Sequence, residues 1–363
     1  MISNYCLLIF ALISQGTTTT SAIETQSQHH QQEKERYLRS TKNVSSSSNI
    51  FSNDINTEHV KKITNGEETV PGRYPYQVAL YKSTDEFGCA GTLIAPDWVL
   101  TAAHCGGGFS RVEIGRHDRS NSNEVYESID IAFEVQHPGY ILDSTQIIHD
   151  VMLLKLRSPS NYTTVKLDDG QVDLTTPGTA TTSIGWGKTD YLNHDHNDIL
   201  LETENWIVDN YECGFYYDEL GHVVTDDMIC ASREEGKGTC KGDSGGPLLI
   251  KGDDATSDIQ IGITSWGAGC ASPDYPGVKA RISAEIDFIK SVQECEVPRS
   301  SVFFKSCCKA SCKDGVFTCD SHICLHRNAV IWDYWIGVKD EALEYPFVEY
   351  IRSFLNEWKI IIN

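Results

Sequence analysis

Through most of the chain, apolar residues come in short runs separated by turn-forming clusters. "YQVALY", "AGTLIA", "WVLTAA", "VMLLKL" and "QIGITSW" are rich in Val, Ile, Leu, Thr and Tyr, with Gly, Asp, Asn or Pro standing between them. Many short strands at this spacing predict an all-β barrel or sandwich. The first helical period comes late. In "SAEIDFIKSVQEC", Ile286, Ile289 and Val292 share one face, and that helix closes a domain near Cys295. A second apolar face, made by Phe347, Tyr350, Ile351, Phe354, Leu355 and Trp358 behind Pro346, predicts an amphipathic terminal helix. Its polar side carries Glu349, Arg352, Glu357 and Lys359, a mixed face that suits docking on protein better than an anionic membrane.

The two ends have a different texture. "MISNYCLLIFALISQG" holds an apolar run from Tyr5 to Ile13, the length of a signal-peptide core and too short to span a bilayer. No other stretch reaches spanning length, so no transmembrane segment is expected. Residues 23–62 are polar, with "HHQQEKER" and "NVSSSSN", and read as a largely disordered pro-segment. The expected organisation is therefore a signal peptide over 1–22, a pro-segment over 23–62, a main domain over 63–295 and an extension over 296–363.

Composition narrows the class. The 363 residues are 40% hydrophobic and 22% charged, as in a globular protein. A net charge of −21 argues against nucleic acid as a partner, because phosphate binding needs a basic surface. The acidic surplus lies between Ile63 and Cys295, where it favours solubility and basic partners. Of 13 cysteines, Cys6 falls in the leader, and the even remainder in an exported chain reads as disulfides. Asn43 and Asn161 head N-x-[ST] sequons and are glycosylation candidates in an extracellular protein. The tail "CCKASCKDGVFTCDSHIC" crowds five cysteines into 18 residues, and with Cys295 they form an even set of six with 15 possible connectivities. A zinc site built on the C-x3-C and C-x4-C spacings with His322 or His326 is the alternative. Adjacent Cys307 and Cys308 in a secreted chain fit disulfides better, so no metal or other cofactor is expected.

The candidate chemistry centres on "CKGDSGGPLL" at 240–249. Alone, a serine among glycines is an ordinary turn residue. As a nucleophile, Ser244 needs a base, a group to orient that base and an oxyanion site. His104 in "TAAHC" is a candidate base, with small Ala102 and Ala103 beside it and Cys105 available to pin it. Asp150, entering the apolar run "HDVMLLKL", must be paired if it is buried, and a histidine Nδ1–H is a suitable partner. Gly242, Ser244 and Gly246 also satisfy the G-x-S-x-G elbow of α/β-hydrolases. That fold expects the acid and histidine after the serine, whereas here both precede it.

"TAAHC", "HDVMLLKL" and "CKGDSGGP" in this order, with "ITNG…YPYQVAL" before and "GITSWGAGC…PGV" after, resemble the trypsin/chymotrypsin family of serine endopeptidases over residues 63–295. The resemblance implies two six-stranded antiparallel β-barrels with a C-terminal helix, to which this chain adds a small Cys-rich extension. It implies a triad of His104, Asp150 and Ser244, with the amides of Gly242 and Ser244 as the oxyanion hole. It implies a zymogen cut after Lys62 by an activating protease, so that the new Ile63 ammonium pairs with Asp243. It further implies the disulfides Cys89–Cys105, Cys213–Cys230 and Cys240–Cys270. The partners are then protein or peptide substrates and the activator, and the chain is expected to be a secreted monomer.

The same resemblance places Gly238 at the base of the substrate pocket and Gly267 and Gly277 on its walls, with Ser265, Trp266 and Gly267 offering backbone hydrogen bonds to an extended substrate. Trypsin-like members carry Asp at the base. Glycine there predicts an open, uncharged slot preferring large apolar side chains. Trypsin-like Arg/Lys specificity is the alternative if Asp274 points inward. A non-catalytic binding protein on the same scaffold is the other, disfavoured because the triad, Gly242, Asp243 and Ile63 are all present.

Overall fold

The structure is a computed structural model that describes residues 66–174, 176–188, 195–232, 238–270, 272, 275–298, 307 and 309–321. The expected leader, pro-segment and terminal helix lie outside the described residues, as do Asn43, Lys62, Ile63, Asp274, Cys308 and Cys324.

Six strands form a first sheet: β1 (Gln77–Lys82), β2 (Phe87–Ala95), β3 (Trp98–Thr101), β4 (Phe109–Ile114), β5 (Glu127–Gln136) and β6 (Met152–Leu156). Six more form a second: β7 (Ala180–Gly185), β8 (Leu201–Val208), β9 (Met228–Ser232), β10 (Pro247–Ile250), β11 (Ile259–Trp266) and β12 (Gly277–Arg281). Each sheet closes on itself through antiparallel pairs, β5 with β6 in the first and β8 with β9 in the second. Around the first barrel the order is β1-β2-β3-β6-β5-β4, and around the second β7-β8-β9-β12-β11-β10, the same path walked twice. Closure leaves no free edge, which suits strands this apolar.

The sequence pattern explains the layers. In β8, "LETENWIV", Leu201, Thr203, Asn205 and Ile207 are buried and alternate with more exposed residues, the period expected of a strand with one face in a core. In β1, "QVALYK", the first five residues are all buried, because its outer face is covered too. The core does not stop at the barrel boundary. Ile184, Trp186, Leu249 and Ile263 of the second half belong to the same apolar cluster as Val78, Leu93 and Leu153 of the first. Polar ties cross the seam as well: the Thr92 hydroxyl donates to Gln260 Oε1 at 2.7 Å, and Arg73 forms a paired contact with buried Asp258.

Helix α2 (Ile282–Glu294) is the one its period predicts, burying Ile282, Ile289 and Val292. The short helix α1 (Asn210–Asp218) has little apolar periodicity, and its sequence signal is the cap: Asp209 accepts the amides of Tyr211 and Glu212.

Beyond α2 the chain turns back to the first barrel. Strands β13 (Lys309–Lys313) and β14 (Val316–Ser321) make a hairpin whose Lys309 pairs in parallel with Glu134 of β5. Phe317 is 2% exposed and packs against Phe133 and Trp98, with ring centroids 5.1 and 5.9 Å away. Two disulfides hold this piece, Cys295–Cys312 and Cys307–Cys319. Asn161 is exposed, its side-chain amide donating to Glu127.

Candidate active site

His104 lies in a single turn of 3-10 helix, Ala103–Cys105, directly after β3. Ala102 and Ala103 are fully buried, so the turn sits flush on the barrel, and the Cys89–Cys105 disulfide ties it to β2. Asp150 stands just ahead of β6 and is 1% exposed. Its carboxylate accepts three bonds: His104 Nδ1 at 2.7 Å, the His104 amide at 2.8 Å and the Ser265 hydroxyl. An ionised carboxylate only accepts, so the ring proton belongs on Nδ1 and Nε2 of the neutral imidazole is left as an acceptor. Burial pushes the Asp150 pKa up. The hydrogen bond and charge of His104, then the Ser265 hydroxyl, outweigh it and hold the carboxyl below its usual range.

Ser244 is half-buried on the loop between Cys240 and Pro247. The loop is fastened on both sides. The Ala90 amide of β2 donates to the Ser244 carbonyl at 2.8 Å, and the Gly245 amide donates to Thr264 of β11 at 2.8 Å. Gly245 has φ +80°, and a Cβ there would lie 2.1 Å from Thr101 Oγ1 and 2.3 Å from the Ala90 carbonyl, so no side chain fits. Ser244 is thereby held against the strands that lead into His104 and out to Ser265. The three candidate groups share one seam, with His104 and Asp150 supplied by the first barrel and Ser244 by the second.

Gly242 has φ +100°. Among the described residues the amides of Asp243, Gly245 and Gly246 donate within the protein, whereas those of Gly242 and Ser244 have no protein acceptor. Asp243 is fully buried and turns inward, accepting the amides of Gly187 at 2.8 Å and Cys240 at 2.9 Å. Burial drives its pKa up to about 6, against the pull of those amides and of the Lys279 charge.

Beside Ser244 opens a cavity of about 330 Å³, at the lower end of the size of small-ligand clefts. Gly238, Ser265, Trp266, Gly267 and Gly277 all line it. Its rim is braced by Cys240–Cys270, and Cys213–Cys230 ties α1 to β9 behind it. The expected slot is uncharged at Gly238, but its lining is not. Lys279 of β12 also lines the cavity, 2% exposed, with Nζ donating to Thr239 Oγ1 at 2.7 Å and Thr264 Oγ1 at 3.4 Å. The reason is strand periodicity: Gly277 and Lys279 are two apart on β12 and face the same way. The sequence reading also missed Ser265 as a donor to Asp150, for which no local motif gives a signal.

Groups with metal-ligand chemistry occur at two places among the described residues. Cys89, His104 and Cys105 are one, but their sulfurs are joined to each other. His137, His149 and Glu285 are the other, with Glu285 accepting from His149 Nδ1 at 2.7 Å.

Two closed antiparallel barrels, with a histidine bonded to a buried carboxylate on one and a serine on a glycine-tight loop of the other, define a chymotrypsin-like serine endopeptidase. The Trypsin family pattern matches residues 63–289. Kallikrein-12 of Homo sapiens is 36% identical over 234 residues, spanning 64% of this chain and 90% of that protein. The solved structure of neuropsin, a serine protease expressed in the limbic system of mouse brain, is similar with a TM-score of 0.56 at 31% identity, covering 63% of this chain and 99% of its own. The chain belongs to the trypsin family.

Proposed function

We propose that the protein is a secreted zymogen whose activated form hydrolyses peptide bonds through His104, Asp150 and Ser244. The observation that carries this is the Asp150 carboxylate, buried and held to His104 Nδ1 at 2.7 Å. It fixes the tautomer in which Nε2 takes the Ser244 proton as Oγ attacks the scissile carbonyl. The carbonyl π electrons move onto oxygen, and the amides of Gly242 and Ser244, free of protein acceptors among the described residues, are the donors to receive that oxyanion. His104 then gives its proton to the leaving amine, the C–N bond breaks, and an acyl-enzyme remains on Ser244. Water repeats the sequence with His104 again as base and releases the acid.

Cleavage after Lys62 would free the Ile63 ammonium, and Asp243 is a fully buried carboxylate with amides but no ion-pair partner among the described residues. An ammonium placed there would compensate that charge and hold the adjoining Gly242–Ser244 loop. The leader, the sequons at Asn43 and Asn161 and the paired cysteines fit an extracellular monomer. No helix among the described residues is long and apolar enough to cross a membrane. The preference for large apolar residues rests on an uncharged slot, and the buried Lys279 in the cavity lining weighs against it.

The test is covalent labelling by a serine-directed phosphonate on protein with Ile63 as its N-terminus. Stoichiometric labelling that Ser244→Ala abolishes is expected. Failure to label correctly processed protein would favour a binding protein on this scaffold.

A further inference from the structure

We infer that this endopeptidase selects acidic side chains: the carboxylate of a glutamate or aspartate before the scissile bond enters the cavity beside Ser244 and pairs with the Lys279 ammonium. The inference rests on the serine-nucleophile reading, since it names the substrate of that same site.

Four observations support it. First, Lys279 is at the cavity and buried, so its charge is not dispersed in solvent. Second, its partners are hydroxyls. Nζ donates to Thr239 and Thr264, and among the described residues no carboxylate stands within ion-pairing distance. Asp243 acts on it through space, but both Asp243 oxygens already accept amides from Gly187 and Cys240. A buried cation with only neutral partners is costly, and an incoming carboxylate offsets that cost.

Third, the cavity leads to the charge. A Cβ on Gly277 would sit 3.4 Å from Lys279 Nζ and 3.6 Å from Thr239 Oγ1, so the absence of a side chain there leaves an approach to the ammonium open. Gly267 leaves matching space opposite, where a Cβ would meet nothing closer than the Tyr217 hydroxyl at 3.6 Å. A carboxylate reaching that space would meet Nζ and the Thr239 side chain together. Fourth, the other substrate classes are disfavoured by the same charge. Arginine or lysine would bring a like charge into a low-dielectric pocket whose lining, among the described residues, offers no acid. A large apolar side chain would cover the ammonium without giving it a partner. Burial lowers the Lys279 pKa to about 8, with Asp243 pulling it back up, so the group is still mostly charged at neutral pH.

The experiment uses protein processed to Ile63, with active sites counted by the serine-directed phosphonate. Hydrolysis is compared on matched peptides that differ only in the residue before the scissile bond: Glu, Asp, Gln, Leu, Phe and Arg. Glutamine is the decisive control, because it has the shape of glutamate without the charge. kcat/KM for the better acid is expected to exceed that for Gln by about 30-fold or more, the scale of a truncated buried charge pair. Arg is expected to be the slowest. Lys279→Met, similar in length and uncharged, should bring the Glu/Gln ratio to near one and raise Leu cleavage. If that variant does not fold, the wild-type ratio alone decides. Protein that labels at Ser244 yet cuts Glu no faster than Gln, or cuts Phe or Arg best, overturns the pocket inference and leaves the nucleophile standing. Protein that does not label at Ser244 overturns both.

Discussion

Asp243 offers the most direct test of activation. Its carboxyl is fully buried and its pKa is raised from 3.8 to about 6. At 1.36 kcal/mol per pKa step, that rise corresponds to roughly 3 kcal/mol between the protonated and ionised forms. The sign follows from proton uptake. A carboxyl with a raised folded pKa binds its proton more tightly in the folded state than in the unfolded one. Stability therefore falls as pH rises from about 4 to about 6, and the full penalty is present at neutral pH. In the uncleaved chain Ile63 carries a peptide bond rather than an ammonium, so nothing at that terminus offsets the charge. Asp243→Asn removes the titration at the expense of one of the two amide bonds, worth about 1 kcal/mol, because its NH2 faces an N–H donor. The uncleaved variant should then be about 2 kcal/mol more stable than the parent at pH 7.5 and slightly less stable at pH 4. Cleavage after Lys62 should stabilise the parent and leave the variant unchanged. Urea unfolding of the four proteins in a Ser244→Ala background, which prevents self-digestion, measures each difference. Equal gains on cleavage in parent and variant would refute the ion-pair argument.

Three further outcomes are expected. Asp150→Asn should lower kcat by about 10⁴-fold with KM little changed in peptide hydrolysis, the size associated with a misplaced histidine tautomer in this triad. The Glu/Gln cleavage ratio should fall as pH rises through about 8, where Lys279 loses its charge. The groups around it are Asp243 on the nucleophile loop and Lys241 and Tyr275 on the cavity wall, and a ratio still falling in Lys279→Met would assign the effect to one of them. Phe317→Ala should cost about 3–5 kcal/mol in urea unfolding, as for a buried phenylalanine lost from a core, and an unchanged midpoint would mean the hairpin is not part of the cooperative unit.

Much of the fold was legible in the sequence because each barrel strand is written as a local pattern. Alternation in "LETENWIV" and the buried run "QVALY" state which faces meet the core, and Ile289 and Val292 mark the closing helix. Helix α1 was not legible by that route, since its stability comes from the Asp209 cap and the Cys213–Cys230 bridge rather than from an apolar stripe. In the site, His104, Asp150 and Ser244 stand in short motifs whose order is informative. Ser265 bonding to Asp150 depends on how β11 passes beside the loop ahead of β6, a long-range fact that no local window contains. Lys279 is a different kind of miss. Once Gly277 is placed on the pocket wall, period two puts residue 279 on the same face, so the charge was readable one step further along "PGVKA".

The tail hairpin gives the chain a second grip on itself. Residues after α2 leave the serine-bearing barrel and pack Phe317 onto the barrel that bears the histidine. A single backbone scission in the connection between β6 and β7 would therefore release neither half. The fragment carrying His104 and Asp150 would stay seated under the hairpin, and the severed enzyme would behave as a non-covalent heterodimer whose dissociation must also peel Phe317 from Trp98 and Phe133.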